Sequence, residues 1–260
     1  MHEGSEKRKD QPDKLTPLCH AIREDLLLLA LLHDRELDRE TLNGLRAECR
    51  RDCFGFRLQG AEARAALRLF RQGLDDIPRD FASATLDILA AEYADIYLNH
   101  SLQASPCESV WTDEVGLTMQ EAMFQVRDWY RRHGLTVKNW RMRADDHLVT
   151  QLQFLGYLLD AEPSEARLEE TARFLDEHLL RWIGAFAERV SARCRTRLYA
   201  GLAKLTSAYL EEYRELVAGL LDSPRPSDEE IEARMRSKKP ATGLQVEPPA
   251  PFVPGGAPSW

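Results

Sequence analysis

Asp146 and His147 stand side by side in the sequence, and a neighbouring carboxylate and imidazole could form half of an acid–base pair. A dipeptide is a weak sign of such chemistry. Asp145 and Asp146 more commonly serve to complement the dipole of a helix that starts just after them, with the histidine bonding locally. Cys49 and Cys53 lie one helical turn apart and could offer two sulfurs to a metal. No second pair accompanies them, so two small residues beside a core is the expected reading. The seven histidines are His2, His20, His33, His100, His133, His147 and His178. None follows a glutamate by three positions, so the Glu-x-x-His pairs of a di-iron bundle are missing. The chain has no G-x-x-x-x-G-K-[ST] phosphate loop, no G-x-G-x-x-G, no H-E-x-x-H and no G-x-S-x-G. These residues imply no catalytic group, no metal and no cofactor.

The elements that would position these side chains read as helices. Thr16-Pro17 predicts a helix start, and Ile22–Leu32 forms a strongly apolar helix. Further helices are expected over Asp38–Cys53 and Gly60–Gln72, and then after Pro78, where Leu86, Leu89, Tyr93, Ile96 and Tyr97 keep helical spacing. Asn99–Trp111 reads as a loop. Thr118-Met119-Gln120-Glu121 predicts a capping box, followed by an apolar face of Met119, Ala122, Met123, Val126, Trp129 and Tyr130 and a stop at Gly134. The helix after Asp146 is apolar nearly all round, which predicts a central place in a bundle. Pro163-Ser164 opens another helix, and a long one runs from about Cys194 to Leu221. Alternating strand patterns are nearly absent. The expected fold is all-α, a single globular bundle of about nine or ten helices. It divides into a flexible 1–14 terminus, a helical domain over 15–222 with a possible hinge near 134–146, and a proline-rich tail over 223–260. Ser227 could cap one short charged helix in that tail, and the prolines from Lys238 onward prevent regular structure.

Composition narrows the classes of function. The net charge is −8 at pH 7, which disfavours nucleic acid and anionic membranes as main partners. The five cysteines have no repeated spacing, and reduced thiols are the simpler reading. The first fourteen residues lack an apolar signal core, and the longest apolar run, Leu26–Leu32, is far short of a membrane span of about 20 residues. A cytoplasmic protein without membrane insertion is expected.

Four segments, taken in order, resemble the TorD/DmsD family of redox-enzyme maturation chaperones. Tyr93, Ile96 and Tyr97 match its aromatic–x–x–aliphatic–aromatic helix end. Ser105, Pro106, Ser109, Val110 and Trp111 match its S-P-x-x-S-V-W loop. Asp146 and His147 match the end of its E-P-x-D-H helix start, where Arg143-Ala144 replaces Glu-Pro. Leu179, Leu180, Trp182 and Phe186 match its L-L-x-W-x-P-x-F segment, with Gly184 at the proline. The resemblance covers roughly Leu26 to Leu221.

The resemblance implies a helical, cytoplasmic, non-catalytic chaperone, monomeric or homodimeric. Its partner would be the precursor of a molybdenum-cofactor catalytic subunit of the dimethyl-sulfoxide-reductase superfamily, held by its twin-arginine signal peptide or as apoenzyme while the cofactor is loaded before export. The expected client-binding residues are Tyr93, Ile96, Tyr97, Ser105, Pro106, Ser109, Trp111, Asp145, Asp146 and His147. An apolar groove lined by Tyr93, Ile96, Tyr97 and Trp111 would take the leader's apolar stretch. Asp95, Asp145 and Asp146 would pair with its arginines. Two other readings compete: a helical assembly subunit retained with its target, and a metal-dependent helical enzyme built on Asp146 and His147.

Overall fold

A computed structural model describes residues 12–49, 52–80, 83–99 and 101–237. The expectations for residues 1–11 and for the stretch from Lys238 onward lie outside those residues. Among the described residues the chain is all-α. The β pairing there is one isolated bridge between Cys107 and His147. Ten α-helices of ten residues or more appear, together with one single-turn helix, α5 (Ser109–Thr112).

The first helix, α1 (Pro12–Asp34), begins earlier than expected and has Pro17 inside it. A proline this near a helix start removes a single ladder bond, which the buried face of Ile22, Leu26 and Leu29 offsets. Asp38 caps α2 (Arg39–Glu48), accepting from the Thr41 amide at 2.8 Å. That helix stops at Cys49, short of the expected Cys53, and a disulfide joins the two residues. The expectation of reduced thiols is corrected at this pair.

The pair α3 (Ala61–Asp76) and α10 (Arg197–Leu221) crosses at close range. A Cβ on Gly73 would lie 2.4 Å from the Leu198 nitrogen, and one on Gly201 would lie 2.5 Å from the Phe70 Cα. Only glycine lets the two backbones meet this closely. The start of α10 is fixed from α4 (Ser83–Tyr93): the Thr196 amide donates to Glu92 Oε1 at 3.0 Å.

After α4 the chain widens into a single π turn over Ala94–Leu98 and reaches α5 through residues 101–108. The end of the expected Asn99–Trp111 loop is therefore helical. The expected capping box is absent from α6 (Glu121–Arg132). Its N-cap is Gln120, and Met119 sits outside the helix, partly exposed, with φ of 60°. The Gln120 amide donates instead to Ser109 Oγ at 3.2 Å. A tertiary partner thus replaces the local one. Gly134, with φ of 70°, ends α6 as expected.

The central helix is α7 (Leu148–Leu158), packed on α1 and buried on most sides. Ser164 caps α8 (Glu165–Glu177), a 3-10 turn covers Leu179–Arg181, and α9 (Ile183–Arg193) leads into α10. The short charged helix expected after Ser227 is α11 (Asp228–Ser237), whose Ile231 and Met235 are buried. Among the described residues no helix is long and apolar enough to cross a membrane.

Candidate functional site

The loop before α5 and the start of α7 are bound together backbone to backbone. The Leu148 amide donates to Pro106 O at 2.8 Å, and the Glu108 amide donates to Asp146 O at 3.1 Å. Ser109 then seals the join. Its amide and its hydroxyl both donate to Asp146 Oδ2, at 2.8 and 2.5 Å. Asp146 is fully buried, and burial raises its pKa, an effect the two Ser109 bonds oppose. His147 is the N-cap of α7, with Nδ1 accepting from the Val149 amide at 3.2 Å. The pairing of Asp146 and His147 is therefore architectural: each points to a different partner. Burial pushes the Cys107 thiol between these segments up to about 12.

Glu108 extends the join inward. It is fully buried and meets His178 Nδ1 at 3.0 Å, while Gln151 Nε2 donates to its other oxygen at 2.9 Å. Gln151 is the polar residue buried in α7, and its amide also donates to Asp146 O at 3.0 Å. Arg181 approaches Glu108 at 3.6 Å and pairs with Glu232 of α11 through Nε at 2.7 Å and Nη2 at 3.0 Å. Three of the four motifs read from the sequence, with α11, thus converge on one buried polar network.

On the outer side, Asp145 accepts from Arg127 Nη2 at 2.8 Å, and its carbonyl accepts from Tyr130 Oη at 3.0 Å. Arg127 in turn lies over the rings of Trp140 and Phe124 at 4.9 and 5.4 Å. These bonds hold the 133–147 connection against α6 and α7 and leave a groove of about 680 Å³ between them. Tyr130, Leu135, Val137, Met142, Phe154 and Tyr157 line it, together with the basic residues Lys138 and Arg143. Met142 is 89% exposed, and Val115, Leu117, Met119, Phe124 and Tyr157 are also large exposed apolar side chains. Six of the ten large exposed apolar side chains among the described residues thus lie on α6, its flanking loops and α7, while Leu31, Ile88, Leu98 and Leu220 lie elsewhere.

The groove expected from Tyr93, Ile96, Tyr97 and Trp111 does not exist as an open surface. Tyr93, Ile96 and Tyr97 are buried. Tyr93 Oη donates to Asp34 O at 2.6 Å. Thr206 Oγ1 donates to Leu202 O and accepts from His33 Nε2, which leaves His33 Nδ1 to accept from Tyr97 Oη at 2.6 Å. These rings tie α1 to α4 and α10. Trp111 is half-buried, donating to Ser105 O at 2.8 Å, with Arg189 stacked over its ring at 4.7 Å. Ser105 and Pro106 are buried as well.

The expected arginine partners are also engaged. Asp145 holds Arg127, Asp146 holds Ser109, and Asp95 accepts from Ser101 Oγ at 2.8 Å and from Asn99 Nδ2 at 3.2 Å. Asp95's pKa is lowered by those bonds. Ser105, Pro106, Ser109, Asp145, Asp146 and His147 are brought together. Tyr93, Ile96 and Tyr97 lie elsewhere, in the core. The sequence reading missed Glu108, Gln151 and the groove residues. Gln151 had a signal, being a polar residue inside an otherwise apolar helix. Among the described residues no cluster of three or more His, Cys, Asp or Glu could hold a metal.

Comparison with known proteins gives a consistent picture. A family model described as "Nitrate reductase delta subunit" matches residues 59–188, half of the chain. The Chaperone protein TorD of Vibrio cholerae is 31% identical over 141 residues, 51% of this chain and 64% of that protein. The TorD of Vibrio vulnificus is 30% identical over 130 residues, 46% of this chain and 60% of that protein. The TorD of Shewanella oneidensis is 26% identical over 204 residues, 75% of this chain and 90% of that protein. The chain thus spans less than two thirds of the length of the Vibrio relatives.

Proposed function

From the premise that this chain belongs to the family of the nitrate reductase delta subunit and the TorD chaperones, we propose that it is a non-catalytic cytoplasmic chaperone for the precursor of a molybdenum-cofactor enzyme. It holds the twin-arginine leader or the apoenzyme of a dimethyl-sulfoxide-reductase-type catalytic subunit while the cofactor is loaded, and it releases the client before export. The observation that carries this reading is the open groove between the 133–147 connection and α7.

The Ser109–Asp146 join and the Arg127–Asp145 pair act as the rigid frame of that groove. Exposed side chains such as Met142 and Tyr157 take the apolar part of the client segment as a helix laid in the groove. Methionine suits such a surface because its flexible thioether adapts to varied sequences. Asp145, Asp146 and His147 thus serve client binding by positioning rather than by direct contact. The net charge of −8 favours encounter with a leader that carries arginines.

The test uses a precursor catalytic subunit in three forms: with leader and without cofactor, without leader, and mature. A chaperone binds the first and leaves the third. Stoichiometric retention on the mature enzyme would favour the assembly-subunit reading instead.

A further inference from the structure

We propose that Cys49 and Cys53 form a thiol–disulfide exchange site whose co-reactant is an anionic low-molecular-weight thiol of the glutathione class. The two sulfurs are bonded in the structure. In an α-helix, residues four apart have Cα atoms about 6 Å apart. Here the Cα atoms are 4.2 Å apart, and Cys49 is the C-cap of α2. The bond and a helix running through to Cys53 therefore exclude one another. The apolar spacing of Leu42, Leu45, Cys49 and Cys53 favours such a helix, so two arrangements compete at this end of α2.

A bond that closes so short a loop removes little chain entropy, so it is poorly suited to be a global staple. Though both cysteines are buried, a groove reaches the Cys49 end of the bond. Cys49 lines an open groove of about 390 Å³ with Arg46, Arg71 and Arg79 against one carboxylate, Asp75. Arg46 donates to the Leu74 and Ile77 carbonyls yet keeps its charge, and the three guanidinium groups together attract a small thiol that carries carboxylates. Cys49 and Cys53 are themselves buried, at 9% and 8% exposure, as Cys19 and Cys107 are at 5% and 7%. The groove beside Cys49 is what separates this pair from the others, and burial pushes the three remaining thiols up, Cys107 to about 12 and Cys194 to about 11.

Oxidation proceeds in two exchanges that balance. The Cys49 thiolate attacks one sulfur of oxidised glutathione, breaking its S–S bond and expelling one glutathione thiolate. The Cys53 thiolate then attacks Cys49 Sγ in the mixed disulfide, forming the Cys49–Cys53 bond and expelling the second. The protein dithiol loses two electrons and two protons, and oxidised glutathione becomes two molecules of the thiol. Reduction is the reverse. It frees the end of α2 from the segment whose Gly55 and Phe56 amides Asp25 holds at 2.8 Å each.

The test equilibrates the full chain across a series of reduced-to-oxidised glutathione ratios. Acid quenching, alkylation and intact mass then count free thiols by position. The expected result is reversible conversion of Cys49 and Cys53 between dithiol and disulfide, with Cys19 and Cys107 unchanged. Cys53→Ser should accumulate one glutathionyl group on Cys49. Cys49→Ser should form one on Cys53 at least about tenfold more slowly, because only Cys49 faces the groove. Three results would overturn the proposal: a bond that persists in excess reduced glutathione, a dithiol that persists in excess oxidised glutathione, or equal modification of Cys19 and Cys107. The wild-type titration decides the matter even if a variant fails to fold.

Discussion

The Ser109 hydroxyl lies 2.5 Å from Asp146 Oδ2, and the Ser109 amide reaches the same oxygen at 2.8 Å. This double hold fastens the first turn of α5 to the start of α7 inside the protein. The Asp146 side chain thereby fixes where the 133–147 connection enters α7. In the proposed function this join frames the groove beside that connection.

Removing the hydroxyl tests the join together with the bond that Ser109 Oγ accepts from the Gln120 amide. Hydrogen bonds to a charged group contribute about 1.5–3 kcal/mol, and the amide bond survives the change. Ser109→Ala should therefore lower stability by roughly 2 kcal/mol, read as a reduced urea midpoint with an unchanged slope. A loss below about 0.5 kcal/mol would mean that the backbone pairing alone holds the segments.

The Glu108 network predicts a contrast between two glutamates on one chain of contacts. Glu108→Ala leaves His178 and Gln151 buried without their shared partner, and breaking such a buried pair costs about 3–5 kcal/mol. Glu232→Ala removes a carboxylate whose side chain is 40% exposed, and a pair of that kind contributes about 1 kcal/mol or less. Thermal unfolding of both variants should show a large drop for the first and a small one for the second.

His33 predicts the acid limb of the stability curve. Burial holds its pKa down, to about 3, so it stays neutral between Tyr97 and Thr206. An unfolded histidine titrates near pH 6.5, so below that pH the unfolded chain binds the extra proton and stability falls. The loss grows from pH 6.5 down to about 3. Between pH 6.5 and 5 the wild type should lose roughly 1.6 kcal/mol more than His33→Gln. Chemical denaturation at the two pH values measures the difference. Equal slopes would place the imidazole in a wetter site.

Two glycines should respond oppositely to one added methyl group. Gly201→Ala drives a Cβ into the α3 backbone, and overpacking of that kind costs about 1–3 kcal/mol or more. A Cβ on Gly44 in α2 meets nothing within 4 Å, so Gly44→Ala should stabilise by about 0.5–1 kcal/mol. Denaturation curves of both variants check the signs.

Much of the fold was legible because helical periodicity and caps are local signals. Asp38, Ser164 and Gly134 mark element ends where the sequence places them. The misplaced starts have tertiary causes. Thr118 has the chemistry of a cap, but the helix starts two residues later than such a cap requires, and Ser109, eleven positions from Gln120, holds the Gln120 amide across the loop. Spacing put Tyr93, Ile96 and Tyr97 on one helix face correctly, yet a face reads the same whether it meets a client or the core. His33 and Thr206 decided that question from distant parts of the chain. The Cys49–Cys53 bond shared its spacing with a helix face, so periodicity favoured the wrong partner structure. The groove was illegible because it is defined by the path of the 133–147 connection, which has no period.

The most direct measurement is calorimetric titration of a twin-arginine leader peptide from a molybdoenzyme precursor against wild type and the double variant Met142→Asp, Tyr157→Ala. Saturable binding that weakens at least about tenfold in the variant, a loss of about 1.4 kcal/mol, is the predicted result. Equal affinity for both proteins, with the variant's fold intact by circular dichroism, would contradict the account.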